Sequence, residues 1–565
     1  MRFFVYASSV ILAIAFSTVT SIARDRPNVI LVMTDDQGYG DLGAHGNDVI
    51  ETPNLDRFAG ESLGMDRFYV NPLCAPTRAS LMTGRYYLRT GILHTSRGAA
   101  KMFGDEVTIA EILKGAGYRT GIFGKWHLGD NYPMRPQDQG FEEALVHRSG
   151  GIGQTPDADA NYFEPVLWRN GQRVDAKGYC TDLFFDAALD FVREKDERPF
   201  FVYLATNVPH GPLEVREDYS QSFEANGTDS NVAKIYGMLK NLDENFGRLM
   251  EELDSMGLRE NTVVIFMTDN GPTSGRFNAG MRGAKGSVYE GGIRVPFYVR
   301  WPGQLEAGKR IDRIAAHIDV LPTLAKVAGA QFPDGLLLDG ENLLPLWKGV
   351  ISPIQWPERT LFTQHIKSII QAPFQNATAF NQSHKMVSYP KTANEARFSV
   401  NPDKLELALY DIESDFAEMS DVSNSMPEVL NELKQRYERW FEAMRQTRGF
   451  QPGRIHLGTK FENPSHLCRY QDGHRSYGTD SEAIGWPVKV SEDDRYRLSF
   501  EIAEVWGPVV AVRWKDETTR LRMASAQRSV VLGLSAGEGM LDVWFEDLEG
   551  EIISKDFDVV VERLR

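Results

Sequence analysis

Four short runs of this chain are apolar almost from end to end: 27–33 (PNVILVM), 199–206 (PFFVYLAT), 262–268 (TVVIFMT) and 295–301 (VPFYVRW). A strand with one wet face alternates in polarity, so unbroken runs of this length read as strands covered on both faces. Helical patterns at 108–114, 181–193 and 232–256 separate them. That alternation predicts an α/β domain built on a largely parallel sheet, with helices packed against it. Sheets of this kind present ligands beyond the carboxyl ends of their strands. The residues that follow each run therefore matter, and after three of the four they are polar and chemically useful.

The texture changes at about residue 352. Shorter strand-like pieces occupy 360–410, an amphipathic helix is predicted over 427–445, and the chain beyond Gly449 is nearly all β in character. Its runs at 496–505, 509–514, 529–534, 539–546 and 552–561, separated by Gly-rich turns, predict a small antiparallel sandwich. At the other end, Arg2, the apolar stretch 3–16 and the small residues of Ser21-Ile22-Ala23 read as an export signal. The stretch is short for a bilayer, which takes about 20 residues, so no stable membrane anchor is expected. The division predicted is a signal peptide 1–23, an α/β domain 24–351, a smaller α+β subdomain 352–449 and an appended β-sandwich 450–565.

Charge narrows the function. With 62 Lys+Arg against 78 Asp+Glu, the formal net charge of −16 argues against a nucleic-acid partner, for want of a basic surplus. A local basic pocket for an anion remains compatible with it. Three cysteines in 565 residues cannot make a disulfide scaffold. Cys180 and Cys468 either pair or stay as separate buried thiols.

The first run ends in Asp35-Asp36 and the third in Asp269-Asn270. Carboxylate and amide oxygens suit a hard divalent cation such as calcium or magnesium. Each pair alone is most often a turn, but two such strand ends in one parallel sheet point to a shared metal. Residues 74–86 then read CAPTRASLMTGRY. This resembles the signature of the formylglycine-dependent sulfatases, Cys/Ser-x-Pro-x-Arg followed by Thr-Gly. The resemblance runs across about 27–445. It takes in residues 124–129 (GKWHLG), Pro209-His210, Lys285 ahead of Glu-Gly-Gly-x-Arg-Val-Pro, and Leu409-Tyr410-Asp411 with Glu413.

The resemblance implies an alkaline phosphatase-like fold and a catalytic role for the 24–351 domain. It implies that a maturation enzyme oxidises Cys74 to formylglycine. It also implies a metal, calcium before magnesium, held by Asp35, Asp36, Asp269, Asn270 and residue 74. Arg78, Lys125 and Lys285 would surround the sulfate, whose dispersed charge calls for cations and donors. His210 with Lys285 would protonate the leaving oxygen, and His127 would help take a proton from the hydrated aldehyde. One hydroxyl of that diol attacks sulfur; the other lets sulfate leave as the aldehyde re-forms. Arg294 would brace the Lys285 loop through Glu290, and His317 is read as structural.

The activity expected is hydrolysis of a sulfate monoester on a polysaccharide or oligosaccharide, aryl sulfates being the simpler alternative. A phosphodiesterase or phosphonate monoester hydrolase on the same fold, or an idle carbohydrate-binding protein with Cys74 unoxidised, are the competing readings. The glycan preference leans on export to the periplasm, the lysosome or the exterior. It leans also on the loop 371–401, with Phe374, Phe380, Tyr389 and Phe398, and on Trp486, Trp506, Trp514 and Trp544, which serve either as a binding face or as core. Residues 94–97 are predicted to form a solvated loop. Asn226, Asn376 and Asn381 sit in glycosylation sequons. The sequence leaves the oligomeric state open.

Overall fold

Strand Asn28–Thr34 is buried at every position, with Val29, Leu31 and Met33 in one apolar cluster and Ile30 and Val32 in another. Phe200–Ala205 and Thr262–Thr268 divide in the same way, so the unbroken apolar runs are the two-faced strands that the sequence calls for. The computed structural model describes residues 26–273, 275–366, 371–388, 406–473, 485–502, 507–524 and 527–564. The expected signal 1–23, Tyr389, Phe398 and Trp506 lie outside them. Among the described residues, no helix is long and apolar enough to cross a membrane.

Among the described residues the central sheet has ten strands. Five run parallel, in the order Thr262–Thr268, Asn28–Thr34, Phe200–Ala205, Arg119–Lys125 and Glu143–His147. Antiparallel strands extend both edges: Phe297–Arg300 beside Thr262–Thr268, and Val166–Arg169 beside Glu143–His147. The expected single strand 295–301 is thus two pieces, Arg294–Val295 and Phe297–Arg300, which pair in different sheets on either side of Pro296. Helices Cys180–Arg193 and Ser230–Ser255 cover one face through Phe184, Leu189, Leu239, Leu242 and Phe246. Helices Cys74–Thr83 and Val320–Ala328 lie on the other, beside Met82, Leu321 and Leu324.

The chain then forms a four-stranded antiparallel sheet, Leu361–Gln364, Ala377–Phe380, His384–Ser388 and Ala408–Asp411. Helix Pro427–Arg448 packs on it through Leu433, Tyr437, Trp440 and Phe441. Beyond Gly449 two further sheets share one apolar core that includes Trp486, Tyr496, Val510, Val543 and Val559. Met134 of the α/β part enters that core. Strands Gly485–Val490 and Glu517–Arg522 belong to the sandwich but were not anticipated. The latter (ETTRLR) carries no apolar face to betray it.

His317 ties the turn after strand Ala315–Ala316 to the end of the neighbouring strand Phe68–Tyr69. Its Nδ1–H donates to the Tyr69 carbonyl at 3.1 Å, and its Nε2 accepts from the Asn71 side-chain amide at 2.9 Å. Both nitrogens are committed to the neutral ring, and burial pushes its pKa down to about 3. A depressed pKa gives stability that is whole above about 6.5 and declines as pH falls toward 3. Replacing His317 with Gln removes up to one such proton. The variant is expected to be less stable at pH 7, but its unfolding free energy should fall less steeply between pH 6.5 and 4, by up to about 1.4 kcal/mol per pH unit. Urea melts across that range measure the slope, and parallel profiles for the two proteins would contradict the assignment.

Candidate active site

Strand register decides what meets at the carboxyl edge of the sheet. Thr34 pairs with Thr268, Met33 and Gly124 both pair with Ala205, and Lys125 pairs with His147. Asp35-Asp36, Asp269-Asn270, the segment 206–210, Lys125 to His127, and His147 therefore emerge side by side. Gly124 permits that closeness. Its φ is +118°, and a Cβ there would lie 1.9 Å from the Ala205 carbonyl oxygen.

Cys74 arrives from the layer above, as the first residue of a helix in which every residue is buried. The Thr77 hydroxyl accepts from the Asn71 N–H at 3.0 Å and donates to the Asn71 carbonyl at 3.1 Å, which fixes the entry of the chain. No side chain caps this helix, so its first N–H groups and dipole favour negative charge beside Cys74. The Cys74 sulfur lies within 4.8 Å of carboxylate oxygens of Asp35 and Asp269. Burial pushes its thiol pKa up, against the pull of Lys125 and Lys285.

Each buried acid has a dedicated cation. Lys125 Nζ donates to Asp35 Oδ2 at 2.5 Å, and Lys285 Nζ pairs with Asp36 Oδ1 at 2.5 Å. Arg78 closes on Asp269 Oδ2 with Nε at 3.1 Å and Nη2 at 2.8 Å, and its Nη1 donates to the Lys125 carbonyl at 2.8 Å. Asp269 Oδ1 accepts from the Asp36 N–H at 3.1 Å, and Asn270 Nδ2 donates to Asp36 Oδ1 at 2.8 Å. What remains is informative. Asp35 Oδ1, Asp36 Oδ2 and Asn270 Oδ1 are buried acceptors without a hydrogen-bond partner. Orphaned acceptors are costly, and hard oxygens from these four residues fit a hard divalent cation. The three acids and three bases balance at zero formal charge. A divalent ion would make the cluster doubly positive, a match for an anionic ester.

Burial opposes ionisation of Asp36, yet the charges of Lys285 and His210 hold its carboxyl well below the usual carboxylate range. Asp269 goes the other way. Burial, then repulsion by Asp35, pushes it up to about 6. Burial would neutralise Lys285, but Asp36 and its neighbours raise its pKa and keep it cationic. His210 is lowered to about 4 by burial, with Asp36 opposing; its Nδ1–H donates to the Gly211 carbonyl at 2.7 Å and its Nε2 lies 3.9 Å from Asp36 Oδ2. His127 is lowered well below its ordinary value by burial and by Lys125. Its Nε2–H donates to the Thr95 carbonyl at 2.8 Å, which leaves Nδ1 buried without a partner.

The structure thus gathers Asp35, Asp36, Cys74, Arg78, Lys125, His127, His210, Asp269, Asn270 and Lys285 into one cluster. Sequence reasoning missed two members. His147, level with Lys125 on the next strand, has a buried Nε2 without a partner and a pKa pushed by burial down to about 3. Its ending of a short strand was the available signal. The Thr95 carbonyl was also missed, because backbone groups carry no signature.

The structure also decides several expectations outside the cluster. Residues 94–97 are no solvated loop: His94 and Ser96 are buried, because later parts of the chain pack over them. Phe374 packs on Tyr437 and Phe380 on Tyr69, so neither is a sugar platform. Trp486 and Trp514 lie in the sandwich core, whereas Trp544 is outside that core, covered by Arg513 and donating to Glu546 Oε1 at 2.8 Å. Cys180 and Cys468 are separate buried thiols. Of the sequons, Asn376 is buried and its amide donates to the Gly286 carbonyl at 2.7 Å, which commits it structurally. Arg294 does reach Glu290, at 3.6 Å. A cavity of about 580 Å³ lies at the seam between the sheet and the sandwich, beside Arg148, Trp168 and His466, and none of the ten gathered residues lines it.

The chain is similar in sequence and in structure to known proteins. The family profile described as "Sulfatase" matches residues 27–330, and one described as "N-sulphoglucosamine sulphohydrolase, C-terminal" matches 284–443. Human arylsulfatase A is 33% identical over 479 residues, spanning 75% of this chain and 89% of the relative. Dog N-acetylgalactosamine-6-sulfatase is 32% identical over 361 residues, spanning 58% and 67%. A solved structure described as "Crystal structure of Ps i-CgsB in complex with k-i-k-neocarrahexaose" superposes with a TM-score of 0.66 at 31% identity, covering 76% of this chain and 95% of that one.

A cation that binds the folded cluster alone must stabilise the protein, by about 2.7 kcal/mol at a hundredfold excess over its dissociation constant. Calcium is expected to raise the melting temperature and a chelator to reverse the gain. Asn270→Ala and Asp36→Ala should lose that response. Calorimetric traces that coincide with and without the ion would remove the metal site.

Proposed function

Because the chain belongs to the sulfatase family and is a sulfuric ester hydrolase, we propose that it removes sulfate from glycans, with Cys74 converted to formylglycine and calcium at the strand ends. The observation that carries this reading is the trio of partnerless acceptor oxygens of Asp35, Asp36 and Asn270 beside the uncapped helix start at Cys74. When bound, calcium would supply net positive charge for an anionic ester and polarise the oxygens it touches. Formylglycine at residue 74, once hydrated by water to a gem-diol, would supply the nucleophilic hydroxyl and a second hydroxyl whose proton loss lets the aldehyde re-form as sulfate leaves.

The remaining steps belong to the chain's own side chains, and their exposure separates them. Lys285 and His210 each show 18% of their side chains to solvent, whereas Lys125 shows none. The first two stand at the entrance, where the alcohol of the ester must leave. Lys285 stays cationic throughout the neutral range, so it carries a proton on the more exposed side of the cluster. His210 is neutral until an arriving sulfate adds negative charge and raises it. His127 is buried and neutral, and its Nδ1 keeps an unshared pair that no hydrogen bond uses, the form of a proton acceptor. Arg78 holds Asp269 and the Lys125 carbonyl, and so keeps two strand ends in register with the helix.

Glycan esters are the preferred substrates because a relative at 31% identity was solved with a neocarrahexaose and another is an N-acetylgalactosamine-6-sulfatase. The chain is further read as exported by residues 1–23, with its working domain over 24–351, the α+β subdomain over 352–449 and the sandwich over 450–565. Mass spectrometry of the peptide holding residue 74 should show a loss of about 18 Da relative to cysteine, as SH and H give way to oxygen. The same preparation should release sulfate from a panel of sulfated glycans. Lys285→Ala should lower kcat by about 10²–10⁴. An unmodified cysteine in an active enzyme would overturn the formylglycine assignment, and strong preference for aryl phosphate over aryl sulfate would favour the phosphodiesterase reading.

A further inference from the structure

Residues 92–100 form a narrow loop, closed by the Ile92–Ala100 bridge and by Leu93 N–H to Ala99 O at 2.8 Å. Thr95 lies within it, and the Thr95 carbonyl receives His127 Nε2–H. A group this close to a proton-transfer residue needs rigid support, since misplacement by about 1 Å can cost 10²-fold in rate. The support comes from far along the chain. At the loop tip the Arg97 and Gly98 N–H groups donate to the carbonyls of Tyr470 and Gln471 at 2.9 and 2.8 Å. Gln471 Nε2 reaches the Thr95 carbonyl itself, at 3.5 Å. Lys101 Nζ donates to the Asp472 carbonyl at 2.6 Å.

The turn that makes these contacts is built to hold its shape. Asp472 is 2% exposed, and its Oδ2 accepts from the Cys468 N–H at 3.0 Å, while the Asp472 N–H returns to the Cys468 carbonyl at 2.9 Å. Cys468 O also accepts from Trp486 Nε1 at 3.3 Å, deep in the sandwich core. The turn follows directly from strand Ser465–Leu467, which pairs with Asp558–Arg563. Gly98 is fitted to it: φ is +76°, and a Cβ there would lie 2.9 Å from the Asp472 carbonyl oxygen.

We propose that the turn 468–473 of the β-sandwich is a positioning element of the active site, which clamps the Thr95 loop so that its carbonyl fixes the ring orientation and tautomer of His127. Gln471 is the positioning residue. The inference rests on the proton-acceptor role read for His127 above. It assigns the sandwich a part in proton transfer and none in gripping substrate at this turn. Two family profiles together end at residue 443, so the clamp lies beyond the stretch they match.

The test uses the full-length, matured enzyme and a small aryl sulfate. Gln471→Ala removes one side-chain donor without disturbing the backbone. Gly98→Ala pushes the loop tip off the turn. Both are compared with His127→Ala alone and in combination, with thermal melts as a check on folding. The expected result is a wild-type melt for Gln471→Ala and a lowered one for Gly98→Ala, KM within about twofold for both, and kcat reduced roughly tenfold for Gln471→Ala and up to 10²-fold for Gly98→Ala. Neither substitution should cost anything further in the His127→Ala background, since the clamp acts through that ring. If Gly98→Ala does not fold, Gln471→Ala decides. Unchanged kcat, a raised KM at constant kcat, or a loss that adds to that of His127→Ala would overturn the clamp. Wild-type kcat in His127→Ala itself would instead remove the role of His127, and the clamp would fall with it.

Discussion

The site depends on one electrostatic constraint: three carboxylates brought to one buried spot by the register of parallel strands. An isolated ion costs several kcal/mol to bury, so Asp35, Asp36 and Asp269 could not coexist without Lys125, Lys285 and Arg78 pressed against them. Those cations come from a strand two places along the sheet from Asn28–Thr34, a loop and the signature helix. Three separate parts of the chain are thereby fixed relative to one another by the same charges that prepare the cluster for an anion. An acidic protein can host such a pocket because the field is set locally by the nearest fixed charges, whatever the total of −16.

Much of this was legible because it is local. An unbroken apolar run followed by polar residues announces a two-faced strand and the position of its carboxyl end. Asp35-Asp36 and Asp269-Asn270 could therefore be placed at one edge before any coordinates. The signature 74–86 and the box 124–129 carried the remainder, through their resemblance to a family. What stayed hidden depends on contacts that skip along the chain. His147 looks like any residue at the end of a short strand until its register with Lys125 is known. Residues 94–97 are polar and read as wet, yet a turn nearly four hundred positions later seals them. Trp486 and Trp514 could be read as platform or core from sequence alone, and only the second sheet of the sandwich decides for core.

The missed strands teach the complementary lesson. Glu517–Arg522 has exposed or half-exposed residues throughout, so nothing in its polarity marks a strand; it exists because Val509–Trp514 offers it a hydrogen-bonding edge. The expected run 295–301 fails in the opposite sense. It is apolar enough, but proline cannot donate to a ladder, and the chain changes sheets around Pro296.

The box 124–129 does more than supply Lys125 and His127. Trp126 Nε1 donates to the Met134 carbonyl at 2.8 Å, and the Met134 side chain is part of the sandwich core. A Cβ at Gly129 would lie 2.6 Å from Met134 Cβ, so the chain can fold back there only because residue 129 is glycine with φ near +121°. His127 is consequently held from three sides: through Lys125 to Asp35 in the sheet, through Trp126 to Met134 at the sandwich, and through its own Nε2–H to Thr95. Its φ of +59° is an uncommon backbone conformation for a non-glycine residue. Such a conformation persists where the surroundings over-determine it. The sandwich bears on two of these constraints from outside, by packing around the Met134 side chain and by bonding the tip of the loop that holds Thr95.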